Sequence, residues 1–120
     1  MIVTTRGYKD LIVWQKSMKL TNSIYDLTES FPRDQQYRLV NQMQRSAVSI
    51  PSNIAEGSKR GGKAEFRHFL RIAYASGAEL ETQIEIAILR TYGEPALLSS
   101  TKSLLDEVMR MLHKMIGSLK

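Results

Sequence analysis

The sequence predicts an all-α protein, an antiparallel up-down-up-down bundle of four helices. Three observations predict it. Apolar residues recur at steps of three and four through most of the chain, the period of a helix buried along one side. The interruptions are short and carry proline or glycine, at Pro32, Gly61-Gly62 and Gly93-Glu94-Pro95. No stretch sustains the apolar–polar alternation of a strand.

The bulk numbers agree. A chain of 120 residues with 42% hydrophobic and 24% charged residues suits one globular domain, 1–120, preceded by an N-terminal arm over 1–9. No apolar run approaches the ~20 residues of a membrane span, and Ile2-Val3 followed by Thr4-Thr5-Arg6 is not a signal-peptide pattern. Cysteine is absent, which excludes disulfides and thiolate chemistry and suits a reducing cytoplasm, the expected location.

Asp10 is placed to cap helix one, expected over roughly 10–30, in which Val13, Ser17, Leu20, Ile24, Leu27 and Phe31 form the apolar stripe. Trp14, Met18 and Tyr25 widen it. Pro32 stops the helix, because the residue before a proline avoids the helical region. Asp34 is placed to cap or begin helix two, where Val40, Met43, Ala47, Ile50, Ile54 and Gly57 keep the same rhythm. Pro51 sits inside that rhythm, so one helix kinked at Pro51 is expected rather than two.

Gly61-Gly62 breaks the chain before helix three, expected over 63–92. There Phe66, Leu70, Ala73, Gly77, Leu80, Ile84 and Ala87 hold a heptad-like spacing. Its centre, Ala73 to Ala78, is rich in small residues, so a neighbour can approach closely. Gly93 ends it. Helix four carries Leu105, Val108, Leu112, Met115 and Leu119 and starts at Pro95 or after Ser99-Ser100.

Catalytic patterns are missing. A ferritin-like di-iron bundle needs two Glu-x-x-His motifs; Glu65-Phe66-Arg67-His68 is one, but His113 has Arg110 at the required offset. Ser46, Ser49 and Ser52 lack a nucleophile elbow and a nearby histidine. The glycines follow a helix rather than a strand, so no phosphate loop or dinucleotide fingerprint is formed. Neither an enzyme nor a cofactor is expected.

Two other patterns remain. Gln42, Ser46, Ser49, Asn53 and Glu56 form a polar stripe on helix two, with Ser76, Glu79 and Gln83 on helix three. Such a stripe is either a solvated face or a self-association surface whose polar groups set register. The second pattern is charge. From Lys59 to Arg71 five basic residues (Lys59, Arg60, Lys63, Arg67, Arg71) face one acid, Glu65, a net of +4 out of +5 for the chain. Lys63, Arg67 and Arg71 stand at successive i, i+4 positions and share one helix face. Tyr74 continues the line and is placed to stack on a base, and Arg45 adds a cation on helix two. This array can neutralise phosphates, or its arginines can pair with Glu65 or with acids of a neighbouring subunit.

These residues also carry a resemblance. Asp10-Leu11-Ile12-Val13-Trp14-Gln15-Lys16, Phe31-Pro32, and the run from Gln42 through Arg45-Ser46-Ala47-Val48-Ser49-Ile50-Pro51-Ser52-Asn53-Ile54-Ala55-Glu56-Gly57 are similar to the four-helix-bundle proteins of the 23S rRNA intervening-sequence (S23-type) family. Phe69-Leu70-Arg71-Ile72-Ala73, Ser76 and Glu79-Leu80-Glu81-Thr82 extend the likeness, which covers roughly residues 7–117. The resemblance implies a bacterial antiparallel bundle assembled as a ring-shaped homopentamer. It implies a link to ribosomal RNA, because members are encoded within inserts of 23S rRNA genes. A related bundle, the accessory protein of diversity-generating retroelements, is a basic pentamer associated with nucleic acid and a reverse transcriptase. The family offers no catalytic residues; Arg45, Ser49, Asn53 and Glu56 match its motif.

Two functions follow as expectations. The first is a non-enzymatic, oligomeric RNA-associated protein binding RNA or DNA phosphates through Arg45, Lys59, Arg60, Lys63, Arg67 and Arg71. The second is an oligomeric adaptor whose main partner is another protein, with Gln42, Ser49, Pro51, Asn53, Glu56, Ser76 and Glu79 serving structure or assembly.

Overall fold

The computed structural model describes residues 7–120, and four helices carry the fold: α1 Ile12–Thr28, α2 Leu39–Lys59, α3 Lys63–Leu89 and α4 Pro95–Ser118. The described residues contain no strand. The expected arm lies outside the described residues as far as residue 6, and Gly7–Asp10 form a 3-10 turn leading into α1.

The four helices surround one core, and each packs on its two neighbours in the order α1, α2, α3, α4 and back to α1. Contacts pair rising numbers on one helix with falling numbers on the next. On the α1–α4 seam Lys16 meets Glu107 and Ser23 meets Thr101. On the α3–α4 seam Arg67 meets Ile116, Tyr74 meets His113 and Glu85 meets Lys102. Neighbouring helices therefore run in opposite directions, in a body of 45 × 21 × 21 Å.

The apolar periodicity becomes the core. Val13, Leu20, Ile24 and Leu27 of α1, Met43, Ala47, Ile50 and Ile54 of α2, and Leu70, Ala73, Leu80 and Ile84 of α3 are all buried. On α4 the buried face is Leu98, Leu105, Val108, Met109 and Leu112, while Met115 and Leu119 are half-buried where the bundle opens.

The helix ends differ from expectation. Leu11, not Asp10, occupies the N-cap position of α1. α1 stops at Thr28, before Pro32, as the Thr28 hydroxyl donates to Ile24 O (2.8 Å) and that of Ser30 to Leu27 O (3.3 Å). Phe31 leaves the helix but stays in the core, its ring centroid 5.5 Å from that of Tyr92. Asp34 does not begin α2. It lies in a 3-10 turn, Arg33–Gln35, and α2 starts at Leu39 after Arg38 turns the chain.

α3 ends at Leu89 rather than near Tyr92. Thr91 takes a left-handed conformation (φ 59°), and the Tyr92 N–H donates back to Ala87 O at 2.9 Å. α4 starts at Pro95, because the Glu94 carboxylate accepts from the N–H groups of Ala96 (3.1 Å) and Leu97 (2.8 Å).

Pro51 lies within α2 and is buried. It has no N–H to donate to the carbonyl four residues back, that of Ala47. The Thr21 hydroxyl of α1 reaches that carbonyl at 3.2 Å while also approaching Ser17 O at 2.8 Å, so one proton is shared between two acceptors.

Candidate nucleic-acid interface

The basic array is built from the turn between α2 and α3. Gly57 lets the two helices meet there: a Cβ at this position would stand 2.7 Å from Phe69 Cβ and 3.1 Å from Phe66 Cδ1. The chain then needs only Arg60-Gly61-Gly62 to reverse, with Gly61 at φ 88°. α3 begins at Lys63, and its first three turns project Lys63, Arg67 and Arg71 along one side.

That side faces the end of α4. Lys63, Arg67, His68 and Arg71 line a groove of about 490 Å³ closed by Leu119 and Lys120. Among the described residues no acidic side chain lines it. Arg67 is half-buried, and its Nε donates to Ile116 O at 3.2 Å, a carbonyl near the end of α4 that also accepts from Leu119 N–H at 3.3 Å, which fixes the guanidinium at the floor. That bond uses one of the five N–H donors of an arginine. Lys63 and Arg71 are exposed and form no ion pair with any described residue.

The other predicted cations separate. Arg60 donates to Glu56 at 2.8 Å and lies 5.0 Å above the Phe69 ring, so its charge is shared with the α2–α3 seam. The bond to Glu56 is the chief reason its guanidinium is held above its ordinary value. Lys59 is exposed at the same end. Arg45 does not join the array. It stands fourteen residues before Lys59 on α2, roughly 21 Å along the axis, in a different groove with Tyr25, Asn41, Gln44 and Val48. Tyr74 follows Arg71 but is half-buried, with its ring 6.1 Å from His113. Its groove is lined by the acids Glu81 and Asp106, so the acid-free surface stops there.

The polar stripe divides too. Ser49 and Ser76 share a hydrogen bond of 2.8 Å across the α2–α3 seam. Asn53 Nδ2 donates to Ser49 O (2.8 Å) and Ser49 Oγ (3.0 Å). Gln42 and Glu79 are exposed at the margins of this seam. Gln83 of α3 is also buried, and its Oε1 has no hydrogen-bond partner among the described residues.

Sequence reasoning missed three participants. Lys120 joins the groove only because α4 ends beside α3. His68 lines it although its interest in the sequence was as a metal ligand. Thr21 supports Pro51 from another helix, and nothing in local spacing announces that. The described residues contain no group of three His, Asp or Glu side chains able to hold a metal ion. No helix of the described residues is long and apolar enough to cross a membrane.

Fold and groove together define a small helical bundle with a cationic cleft at one end. The chain belongs to the 23S rRNA-intervening sequence protein family, whose model matches residues 9–114. Among solved structures it resembles a protein of unknown function from the S23 ribosomal protein family of Bacteroides thetaiotaomicron VPI-5482. The TM-score is 0.81 at 27% identity, over 91% of this chain and 98% of that one. No curated protein matches the chain.

Proposed function

We propose that this protein is a non-enzymatic, oligomeric RNA-associated protein that binds nucleic-acid phosphates through the groove of Lys63, Arg67 and Arg71. One observation carries the reading: Lys63, Arg67 and Arg71 converge on a cleft lined by no acidic side chain of the described residues, and Arg67 is held in place by a backbone carbonyl. Convergent positive charge without internal compensation attracts polyanions. Such contacts recognise the backbone and carry no base sequence. Membership of a family named for 23S rRNA inserts supports RNA as the polyanion. A homopentamer in the bacterial cytoplasm is the setting the reading assumes, and repetition of the groove around a ring would raise the affinity for a long strand.

The test is affinity for structured RNA across a salt series, for the wild type and for Lys63→Glu/Arg71→Glu. These two side chains are exposed, so their replacement leaves the core intact. Weakening by tenfold or more is expected. Unchanged affinity would remove the groove from the interaction.

A further inference from the structure

Arg67 differs from the other polar residues of the cationic groove. Lys63, His68, Arg71 and Lys120 are exposed, whereas Arg67 is half-buried between α3 and α4. Its Nε is committed to Ile116 O at 3.2 Å, so the side chain is held at the floor rather than free to swing into solvent. Four N–H donors remain, on Nη1 and Nη2, an end-on fork suited to two oxygens of one phosphate. Lys63 and Arg71 stand four residues before and after it on α3, each roughly 6 Å along the axis. Glu65, the acid nearest in sequence, does not line the groove, and its charge bears on Arg60.

Two boundaries limit what can use that fork. The first is steric. Leu119 and Lys120 close the groove against α4, and the fork lies below the exposed side chains of the rim. An internal phosphodiester carries a ribose on each side and must bring both toward the floor. A terminal phosphomonoester stands at the tip of a strand, with one ribose behind it and three free oxygens in front. It also carries about −1.5 to −2 near pH 7, where an internal diester has a single negative charge. The second boundary is electrostatic. Past Arg71, the next groove between α3 and α4 contains Glu81 and Asp106, the latter paired with Arg110. A strand that ran on in that direction would carry its phosphates over acids.

We infer that the groove holds the phosphorylated end of an RNA strand, with the Arg67 fork on the terminal phosphomonoester. Lys63 and Arg71 serve its remaining charge and the phosphates that follow. The strand leaves toward the end of the bundle, where Lys59 is exposed beyond the Gly61-Gly62 turn. The inference rests on the RNA binding proposed above and adds the class of RNA to it: strands that end in a phosphate, rather than any stretch of backbone.

Equilibrium binding of one short RNA sequence in four forms tests it: with a 5′-phosphate, with a 3′-phosphate, with hydroxyls at both ends, and as a closed circle. Wild-type protein is expected to bind a phosphorylated form about tenfold or more tighter than the hydroxyl-ended and circular forms. The 5′ and 3′ arms tell which terminus supplies the phosphate. Inorganic phosphate should displace the phosphorylated strand more effectively than chloride at matched ionic strength. Arg67→Lys keeps the charge and loses the fork, so it should bring the ratio between phosphorylated and hydroxyl-ended RNA close to one. Equal affinity of the wild type for all four forms would overturn the inference and leave the proposed phosphate binding intact. A preference undiminished by Arg67→Lys would place end recognition outside this groove and overturn it as well. Binding of none of the four would overturn both the inference and the function it rests on.

Discussion

Thr21 shows how a single hydroxyl can permit a proline in a buried helix. Pro51 strips a donor from Ala47 O, and an unmatched buried carbonyl costs about 1–3 kcal/mol. The Thr21 hydroxyl recovers part of that from across the α1–α2 seam, at 3.2 Å. Thr21→Val keeps the shape and removes the proton. It is expected to lower stability by about 1–2 kcal/mol in urea unfolding, whereas Thr21→Ser should lose less than half as much. Equal losses would mean that the methyl group, not the hydroxyl, matters. Thr91 is the opposite case, a β-branched residue at positive φ where glycine is the usual occupant. Thr91→Gly should raise the melting temperature, as relief of left-handed strain is worth about 1 kcal/mol or more.

At the scale of elements, two glycines set the helix spacings, and they differ in kind. A Cβ at Gly57 would press on Phe69 Cβ, which moves only with α3 itself. A Cβ at Gly77 would overlap the sulfur of Met109, the far end of a flexible side chain. Alanine gains roughly 1 kcal/mol of helix propensity over glycine at either site. Gly57→Ala should nonetheless destabilise, by about 1–3 kcal/mol, because the α2–α3 approach must open. Gly77→Ala should cost clearly less in the same thermal unfolding experiment. Periodicity placed all four helices and most of their buried faces. It misplaced the starts of α1 and α2, because Asp10 and Asp34 were competent caps at positions the chain uses for 3-10 turns, whereas α3 and α4 begin at Lys63 and Pro95 as expected. Competence to cap is local, whereas the entry angle of a helix is set by what it packs on. Leu39 and Val40 are buried and begin α2 where the core begins.

For the whole molecule, the basic run legible from Lys59 to Arg71 resolves into unequal parts. Lys63, Arg67 and Arg71 share a face by i, i+4 spacing and stay together. Arg60 turns to Glu56 and Phe69, and Arg45 lies in a separate groove with Tyr25 and Val48. RNA affinity is therefore expected to fall with salt at a slope near −2 to −3 per bound subunit, the value for about three phosphate contacts. Charge reversal at Lys63 and Arg71 should flatten it by roughly 1.5–2, while Arg45→Glu should leave it unchanged. A filter-binding series over ionic strength reads both, and a slope carried by Arg45 would refute the division.

The sequence by itself determined the class: helical period, proline and glycine breaks and a cysteine-free, basic composition leave an all-helical bundle, and the motif run from Gln42 to Gly57 carries the likeness to its family. These properties are local, written in spacings of three and four along one chain. Only the tertiary structure decided which cations share a cleft and which hydroxyl answers Pro51. Each of those joins residues on different helices, and the distance between helices depends on how side chains fill the space between them.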